Sequence, residues 1–211
     1  MGTEIAALSQ AFPSAAPPIR SSTSVVGLSD TALMVRFKAG ESRAFDELYQ
    51  RHRGSLYRYY LRQAPRASVD DLFQETWLRL IKGSSTYEPS APFGAYLFRI
   101  AHNVLVDHYR RSGRSPEFAG DEDVEVIDQT PQPADLYRQA ALRESFLAAL
   151  ESLPAAQREA FLLHQEGGLT LEEIAQIAGS NRETIKSRLR YAVARLRRIL
   201  AAEFAGEYEQ A

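Results

Sequence analysis

The chain has 211 residues, 25 Lys and Arg against 27 Asp and Glu, 45% hydrophobic residues and no Cys. At about 100 to 200 residues per domain, that length suits one ordinary domain or two small ones, and the apolar fraction suffices for packed cores, so wholesale disorder is excluded. The lack of Cys removes disulfides, thiolate zinc sites and cysteine nucleophiles, and no apolar run approaches the roughly 18 residues that span a bilayer. The N-terminus has no basic start followed by an apolar core. A protein of the cytoplasm without membrane insertion is expected.

The net charge of -2 conceals a segregation. Residues 30–114 are net +5, residues 115–135 carry seven acids and no base, and residues 182–198 carry seven bases and one acid. Two basic contact surfaces separated by an acidic tether are the reading that follows.

In chain order, residues 1–28 are rich in Ala, Ser and Pro and keep no apolar period, the pattern of a disordered tail. From Asp30, Leu33, Met34 and Phe37 recur at helical spacing, and Gly40 supplies a stop. A second helix follows with Phe45, Leu48, Tyr49, His52, Leu56, Tyr60 and Leu61 on one stripe; Arg43, Arg51, Arg53, Arg58 and Arg62 lie mostly off it. Ser68 stands three residues before Asp71, which predicts a capping box opening a third helix, with Leu72, Phe73, Thr76, Trp77, Leu80 and Ile81 inward. Residues 83–92 read as a loop. A fourth helix is expected from Phe93 to Arg111, with Tyr96, Leu97, Ile100, Ala101, Val104 and Leu105 inward and Phe98, Arg99, His102, Asn103, Arg110 and Arg111 opposite.

The acidic stretch 115–135, with Pro116, Pro131 and Pro133, has too little apolar content to order itself and reads as a linker. Helical pattern resumes near Asp135 with Leu136, Leu142, Phe146, Leu147 and Leu150, and again after Pro154 with Ala160, Phe161 and Leu163. No stretch alternates as a strand does, so the fold class is all-α: two small helical domains, 29–114 and 136–204, joined by the acidic linker 115–135 and flanked by tails 1–28 and 205–211.

The most informative segment runs from Gly168 to Arg190. Thr170 with Glu173, and Ser180 with Glu183, read as two capping boxes ten residues apart, so one short helix ends and another begins near Gly179. This is a helix-turn-helix, packed through Ile174, Ala175, Ile177, Ile185 and Leu189 against Phe161. Arg182, Glu183, Lys186, Ser187 and Arg190 fall on the outer face of its second helix. Such a helix fits the major groove, its early residues reaching base edges and its flanking cations reaching phosphates. A single charged helix is more often a solvated face; the paired caps, the small turn and the cationic cluster favour DNA.

At these residues the chain resembles a bacterial RNA polymerase sigma factor of the extracytoplasmic-function group. Residues 41–111 resemble sigma region 2 through Ala44-Phe45-Asp46-Glu47-Leu48-Tyr49, Asp70-Asp71-Leu72-Phe73-Gln74-Glu75-Thr76-Trp77 and Tyr96-Leu97-Phe98-Arg99-Ile100-Ala101-His102-Asn103. Residues 153–198 resemble region 4 through Leu153-Pro154, Arg158-Glu159-Ala160-Phe161 and the helix-turn-helix. Each block alone is moderately specific, and both in this order are highly so.

The resemblance implies that Asp70, Asp71, Gln74 and Glu75 dock on core polymerase. Read without it, two carboxylates near a helix start are first of all partners of the helix dipole. It also implies that the fourth helix reads and melts the minus-10 element through Phe98, Arg99, His102, Asn103, Arg110 and Arg111, with Tyr87 beside a pocket for a flipped base. Aromatic stacking on an unpaired base contributes about 1–3 kcal/mol, and Asn103 offers donor and acceptor together. Against this, Phe98 and Tyr87 can simply close the domain surface. For minus-35 DNA the resemblance points to Arg182, Thr184, Lys186, Ser187 and Arg190. One departure stands out: Tyr191-Ala192 replaces the family's common basic residue followed by Ala, so Tyr191 either meets DNA or packs, and the preferred promoter is left open.

Four scattered His, no Cys and no phosphate-binding Gly loop make no recognisable active site, so no enzymatic activity, metal or other cofactor is expected. The expected partners are core RNA polymerase, promoter DNA and an anti-sigma factor, with the free chain a monomer. The rival is an autonomous dimeric helix-turn-helix regulator in which residues 30–111 sense or dimerise.

Overall fold

The computed structural model describes residue 25 and residues 27–113 and 134–208. Most of the N-terminal tail and nearly all of the acidic linker lie outside them. The described residues form eight α-helices, a one-turn 3-10 helix at Ser84–Thr86 and no strand: α1 Asp30–Lys38, α2 Ser42–Leu61, α3 Arg66–Gly83, α4 Phe93–Ser112, α5 Ala134–Glu151, α6 Ala155–Gln165, α7 Leu171–Ile177 and α8 Arg182–Tyr208. None of these is long and apolar enough to cross a membrane.

Helices α1 to α4 wrap a common core because each carries one apolar stripe at helical spacing. Leu33 and Met34 of α1, Leu48 and Leu56 of α2, Leu72 and Leu80 of α3 and Leu97, Ala101 and Val104 of α4 are all buried. Trp77 is the aromatic centre: Phe45 meets it edge-on with ring centroids 5.7 Å apart, and Tyr49 lies at 5.1 Å. Such aromatic pairs add about 0.5–1.5 kcal/mol beyond area burial. The buried Tyr60 hydroxyl reaches Thr76 Oγ1 and, at 3.0 Å, the Ala101 carbonyl, so the polar group that α2 brings inside is satisfied.

The start of α1 is tied to α2. Asp30 accepts from Arg51 Nη1 at 2.8 Å and lies 2.7 Å from His52 Nε2. Burial by itself would raise the Asp30 carboxyl, but the hydrogen bonds and charges of Arg51 and His52 outweigh it and hold the group below its ordinary 3.8. A carboxyl with a depressed folded value stabilises the fold above its unfolded value and loses that contribution as pH falls through the folded one. Asp30→Asn is therefore expected to lower the urea midpoint at pH 7 and to leave it unchanged near pH 2; an equal loss at both pH values would refute the ion-pair account.

Two helix starts differ from the sequence expectation. At α3 the Ser68–Asp71 capping box does not form: the helix begins at Arg66, directly after Pro65, whose carbonyl accepts from Ser68 N at 2.8 Å. The fixed φ of Pro65 prepares the chain for the first turn three residues earlier, leaving Asp71 in the second turn. At α8 the cap is Asn181, whose Oδ1 accepts from Thr184 N at 2.8 Å. Asn caps at least as well as Ser, so the Ser180–Glu183 box is displaced and the Glu183 carboxylate is released from capping.

The expected box at α7 is present. Thr170 Oγ1 accepts from Glu173 N at 3.3 Å, and Glu173 Oε2 accepts from Thr170 N at 2.8 Å. Gly179 holds φ +57° in the turn that follows, a conformation costly for residues with a Cβ. Buried Ile174, Ala175, Ile177 and Ile185 then lock α7 onto α8 beneath Phe161 of α6. Arg158 of α6, itself buried, donates to the Glu151 carbonyl at 2.9 Å and ties α6 to the end of α5; burial lowers its guanidinium pKa. Leu142, expected inside, is exposed, because among the described side chains of α5 it is Phe146, Ala149 and Leu150 that face the core; Leu136 lies outside the described side chains. Helix α8 continues to Tyr208, into the stretch assigned to a tail.

Candidate nucleic-acid interface

The α7–α8 pair presents its polar face as one ridge. Arg182, Glu183, Lys186 and Arg190 are all exposed along α8, with Thr184 and Ser187 half-buried between them. Arg182 forms an ion pair with Glu172 of α7 and lies 3.1 Å from Glu183, while Lys186 Nζ is 3.7 Å from Glu183. The Glu172 carboxyl is held below its ordinary value by its own backbone N–H and by Arg182. These exposed pairs contribute little to stability, but they pre-set the rotamers of the cations that face outward.

Arg190 stacks over the Tyr191 ring at 5.0 Å, and its Nη2 donates to the Tyr191 hydroxyl at 3.3 Å. Tyr191 is 55% exposed, which excludes packing in the core. The departure at this position therefore sits on the surface as a cation–π unit beside the ridge.

On α3, Asp70, Asp71 and Gln74 are exposed or half-exposed, and among the described residues their side chains have no hydrogen-bond or ion-pair partner. Glu75 differs. Its Oε1 accepts from Arg79 Nε at 2.7 Å, and Arg79 also reaches Asp107 of α4 at 2.9 Å. Arg79 holds Asp107 below the ordinary carboxylate value, chiefly through that hydrogen bond. Glu75 thus belongs as much to the α3–α4 joint as to a free surface.

The fourth-helix set divides. Arg99, Asn103, Arg110 and Arg111 are exposed as expected, with Arg110 2.9 Å from Asp107. Phe98 is not: it is 1% exposed, packed edge-on against Tyr59 at 5.4 Å. The expectation that it lies opposite the apolar stripe is corrected, because α4 is covered on two sides, by its own bundle and by the turn between α6 and α7. Gly167 in that turn lies so close that a Cβ would stand 3.2 Å from Phe98 Cδ2 and 2.6 Å from the Leu163 carbonyl. Tyr87 is likewise buried, its ring 5.0 Å from Tyr96.

The covering side is acidic and polar. His102 Nδ1 lies 2.6 Å from Glu159 of α6, and Arg99 Nη2 donates to Gln176 of α7 at 3.4 Å. Burial pushes the neighbouring Tyr59 hydroxyl well above its ordinary value, and the Glu159 charge adds to this. Three residues that sequence reasoning did not single out meet at the same face: Glu166, following α6, accepts from Arg58 Nε at 2.8 Å and from Arg62 of α2. The only signal in the sequence is the spacing of Arg58 and Arg62, one turn apart and off the apolar stripe. Among the described residues no group of three His, Asp or Glu is placed to hold a metal ion.

Two family models match this chain: Sigma-70 region 2 over residues 48–115 and Sigma-70 region 4 over residues 143–196. The ECF RNA polymerase sigma factor BldN of Streptomyces coelicolor is 34% identical over 82% of this chain and 67% of its own length. The chain belongs to the extracytoplasmic-function RNA polymerase sigma factors. The sigma factor SigE of Mycolicibacterium smegmatis is also 34% identical, over 75% of this chain and 62% of its own length, so the chain spans about two thirds of these two relatives. Among solved structures, CnrH in complex with the cytosolic domain of CnrY aligns at TM-score 0.59 and 27% identity, covering 82% of this chain and 97% of CnrH. The sigma factor RpoE in complex with the anti-sigma factor NepR, from Bartonella quintana, aligns at 0.57 and 27%, covering 74% of this chain and 96% of RpoE. As a sigma factor the chain acts in transcription initiation, with the region 2 match falling on α2–α4 and the region 4 match on α5–α8. An autonomous dimeric regulator is not favoured, since both matched blocks are sigma regions.

Proposed function

We propose that this sigma factor directs core RNA polymerase to specific promoters, melts their minus-10 region and starts transcription, using three separate surfaces. The outer face of α3 with Asp70, Asp71 and Gln74, and Glu75 beside it, docks on core polymerase. Helix α4, through Phe98, Arg99, His102, Asn103, Arg110 and Arg111 with Tyr87 nearby, engages the minus-10 strand. The ridge of α8, through Arg182, Thr184, Lys186, Ser187, Arg190 and Tyr191, enters the major groove at minus-35. Residues 29–114 and 136–204 are then the two DNA-contacting domains, and 115–135 is the acidic tether that lets them sit on separate promoter elements.

The observation that carries this reading is the α7–α8 helix-turn-helix with its outward cations in the same chain as the face of α3 whose Asp70, Asp71 and Gln74 have no partner among the described residues. A protein that only bound duplex DNA would need the first and not the second. The cover over Phe98 and His102 adds a condition: α6 and α7 must lift from α4 before the minus-10 strand can reach these side chains. An anti-sigma factor is the further partner this reading supplies, since RpoE was captured with one. The protein is taken to work as a monomer in the cytoplasm, with no catalytic activity and no cofactor of its own.

The test is transcription in vitro with purified core polymerase on a library of genomic fragments. The expected outcome is transcripts starting at a small set of sites that share two spaced sequence elements, dependent on this protein. No added start site in the absence of an inhibitor would overturn the proposal.

A further inference from the structure

The pairing of Glu166 with two region 2 arginines has a chemistry that points beyond a domain contact. The Glu166 side chain is 8% exposed and its carboxylate meets Arg58 and Arg62, which lie one turn apart on α2. A buried carboxylate is costly unless charge and hydrogen bonds compensate it, and here two guanidinium groups do. Conversely, two like charges at i and i+4 repel each other mildly on an isolated helix, so the arginine pair is a seat that favours one anion.

The seat is continuous with the face of α4. Tyr59, one residue from Arg58, stacks edge-on against Phe98, and the Glu166–Leu169 turn packs on Phe98 and Gly94. Beyond it stand His102 and Arg99. Four groups of region 2, Arg58, Arg62, Arg99 and His102, meet side chains of α6, α7 and the turn between them, and three of the groups they meet are Glu159, Glu166 and Gln176. Glu159 and Glu166 are seven residues apart, two helical turns, so their charges fall on one side of α6 about 10 Å apart. Region 4 thereby lays two carboxylates and an amide along three arginines and a histidine, flanked by aromatic rings.

We infer that Arg58 and Arg62 are a binding seat for a phosphodiester of the opened promoter strand, and that Glu166 fills this seat as an internal competitor while region 4 is folded onto region 2. A phosphodiester, like a carboxylate, spreads one negative charge over two free oxygens, the group that the guanidinium fork matches best. Rings next to phosphate-binding arginines are the arrangement that holds single-stranded nucleic acid. The inference rests on the minus-10 assignment of α4, because that assignment brings a single strand to this face once region 4 has lifted away.

The two roles of the arginines predict opposite signs. If Arg58 and Arg62 serve only to clamp Glu166, removing them frees the face and strand binding rises or stays level. If they hold the strand, binding falls. The experiment uses the full-length chain and a fluorescent oligothymidylate of about 12 nucleotides, within the site size of single-strand binders, because backbone binding is independent of sequence. Anisotropy titrations over a range of salt are run for wild type, E166Q, R58A/R62A and R58K/R62K, with thermal melts to show that each is folded.

The expected result is a three- to tenfold gain for E166Q, about a tenfold loss for R58A/R62A, and a salt slope for R58A/R62A smaller by about 1.4, the value for two single-strand phosphates that are no longer neutralised. R58K/R62K should restore the slope. An R58A/R62A protein with unchanged or higher affinity would overturn the inference, as would equal arginine-dependent binding of an oligoglutamate of the same charge. The promoter-directing role is judged separately, by wild-type transcription with core polymerase. If wild type transcribes and R58A/R62A binds the oligonucleotide normally, only the seat falls.

Discussion

Replacing Lys186 and Arg190 together by Ala is expected to reduce promoter-specific transcription about a hundredfold while leaving affinity for core polymerase unchanged. Both side chains are exposed on the ridge of α8, Arg190 fixed by its stack on Tyr191 and Lys186 beside Glu183. Each good bidentate base pairing discriminates by about 1–3 kcal/mol, and each neutralised phosphate contributes a salt-dependent part through counterion release. The two contributions separate experimentally. If Lys186 neutralises a phosphate, its removal weakens all sequences alike and lowers the duplex salt slope by about 0.9. If Arg190 reads a base edge, its removal relaxes preference at one promoter position. Neither residue supports the core of region 4, which is built from Ile174, Ile177, Ile185, Ala192 and Leu196, so the melting temperature should not move. Equal losses of core binding and transcription would remove α8 from the minus-35 groove.

The ridge and the helices are largely legible in the sequence alone, for a local reason. Apolar residues three and four apart report which side of a helix is buried, and they place α2, α4 and the helix-turn-helix within a few residues. Caps are legible where one candidate stands alone. Thr170 has no competitor and caps α7, while Ser180 yields to Asn181 and Ser68 is pre-empted by Pro65. Phe98 fails for a different reason. Its stripe on α4 is one-sided only if the domain is considered alone; the second cover comes from Gly167, sixty-nine positions further along. The pairing of Glu166 with Arg58 spans 108 residues, and no local period reports that distance. Charge composition shows that residues 30–114 are basic, not which of their cations share one carboxylate.

This closed arrangement also explains why the two halves of the chain have to be read together. Region 4 contributes side chains to both states: in the closed one Glu159, Glu166 and Gln176 lie against region 2, and in the proposed promoter complex the α8 ridge faces DNA. The covering interactions are mostly polar, with the Phe98–Gly167–Leu169 patch as their apolar part. Interfaces of that kind between domains permit relative motion. Separation of α4 from α6 and α7 is compensated only if a strand or a partner protein takes their place, which couples opening to binding.

The docking surface on α3 gives the second large effect. Asp71→Ala with Gln74→Ala is expected to weaken binding of the chain to core polymerase by about thirtyfold or more, in line with the roughly 2–5 kcal/mol that truncating a partner in a desolvated charge pair costs. The fold should be untouched, because neither side chain is buried and, among the described residues, both bond to nothing. Glu75→Ala makes the contrast. It releases Arg79, which also anchors Asp107 of α4, so its effect should divide between a small loss of stability, of the order of the few tenths to 1 kcal/mol found for surface pairs, and a smaller loss of core affinity. Binding is read by surface capture of core polymerase, stability by urea titration. If the Asp71 and Gln74 variant binds core polymerase as wild type does, the paired carboxylates of α3 are reduced to a solvated face beyond the reach of the helix dipole, since no acid stands in the first turn, and the docking surface has to be sought elsewhere on region 2.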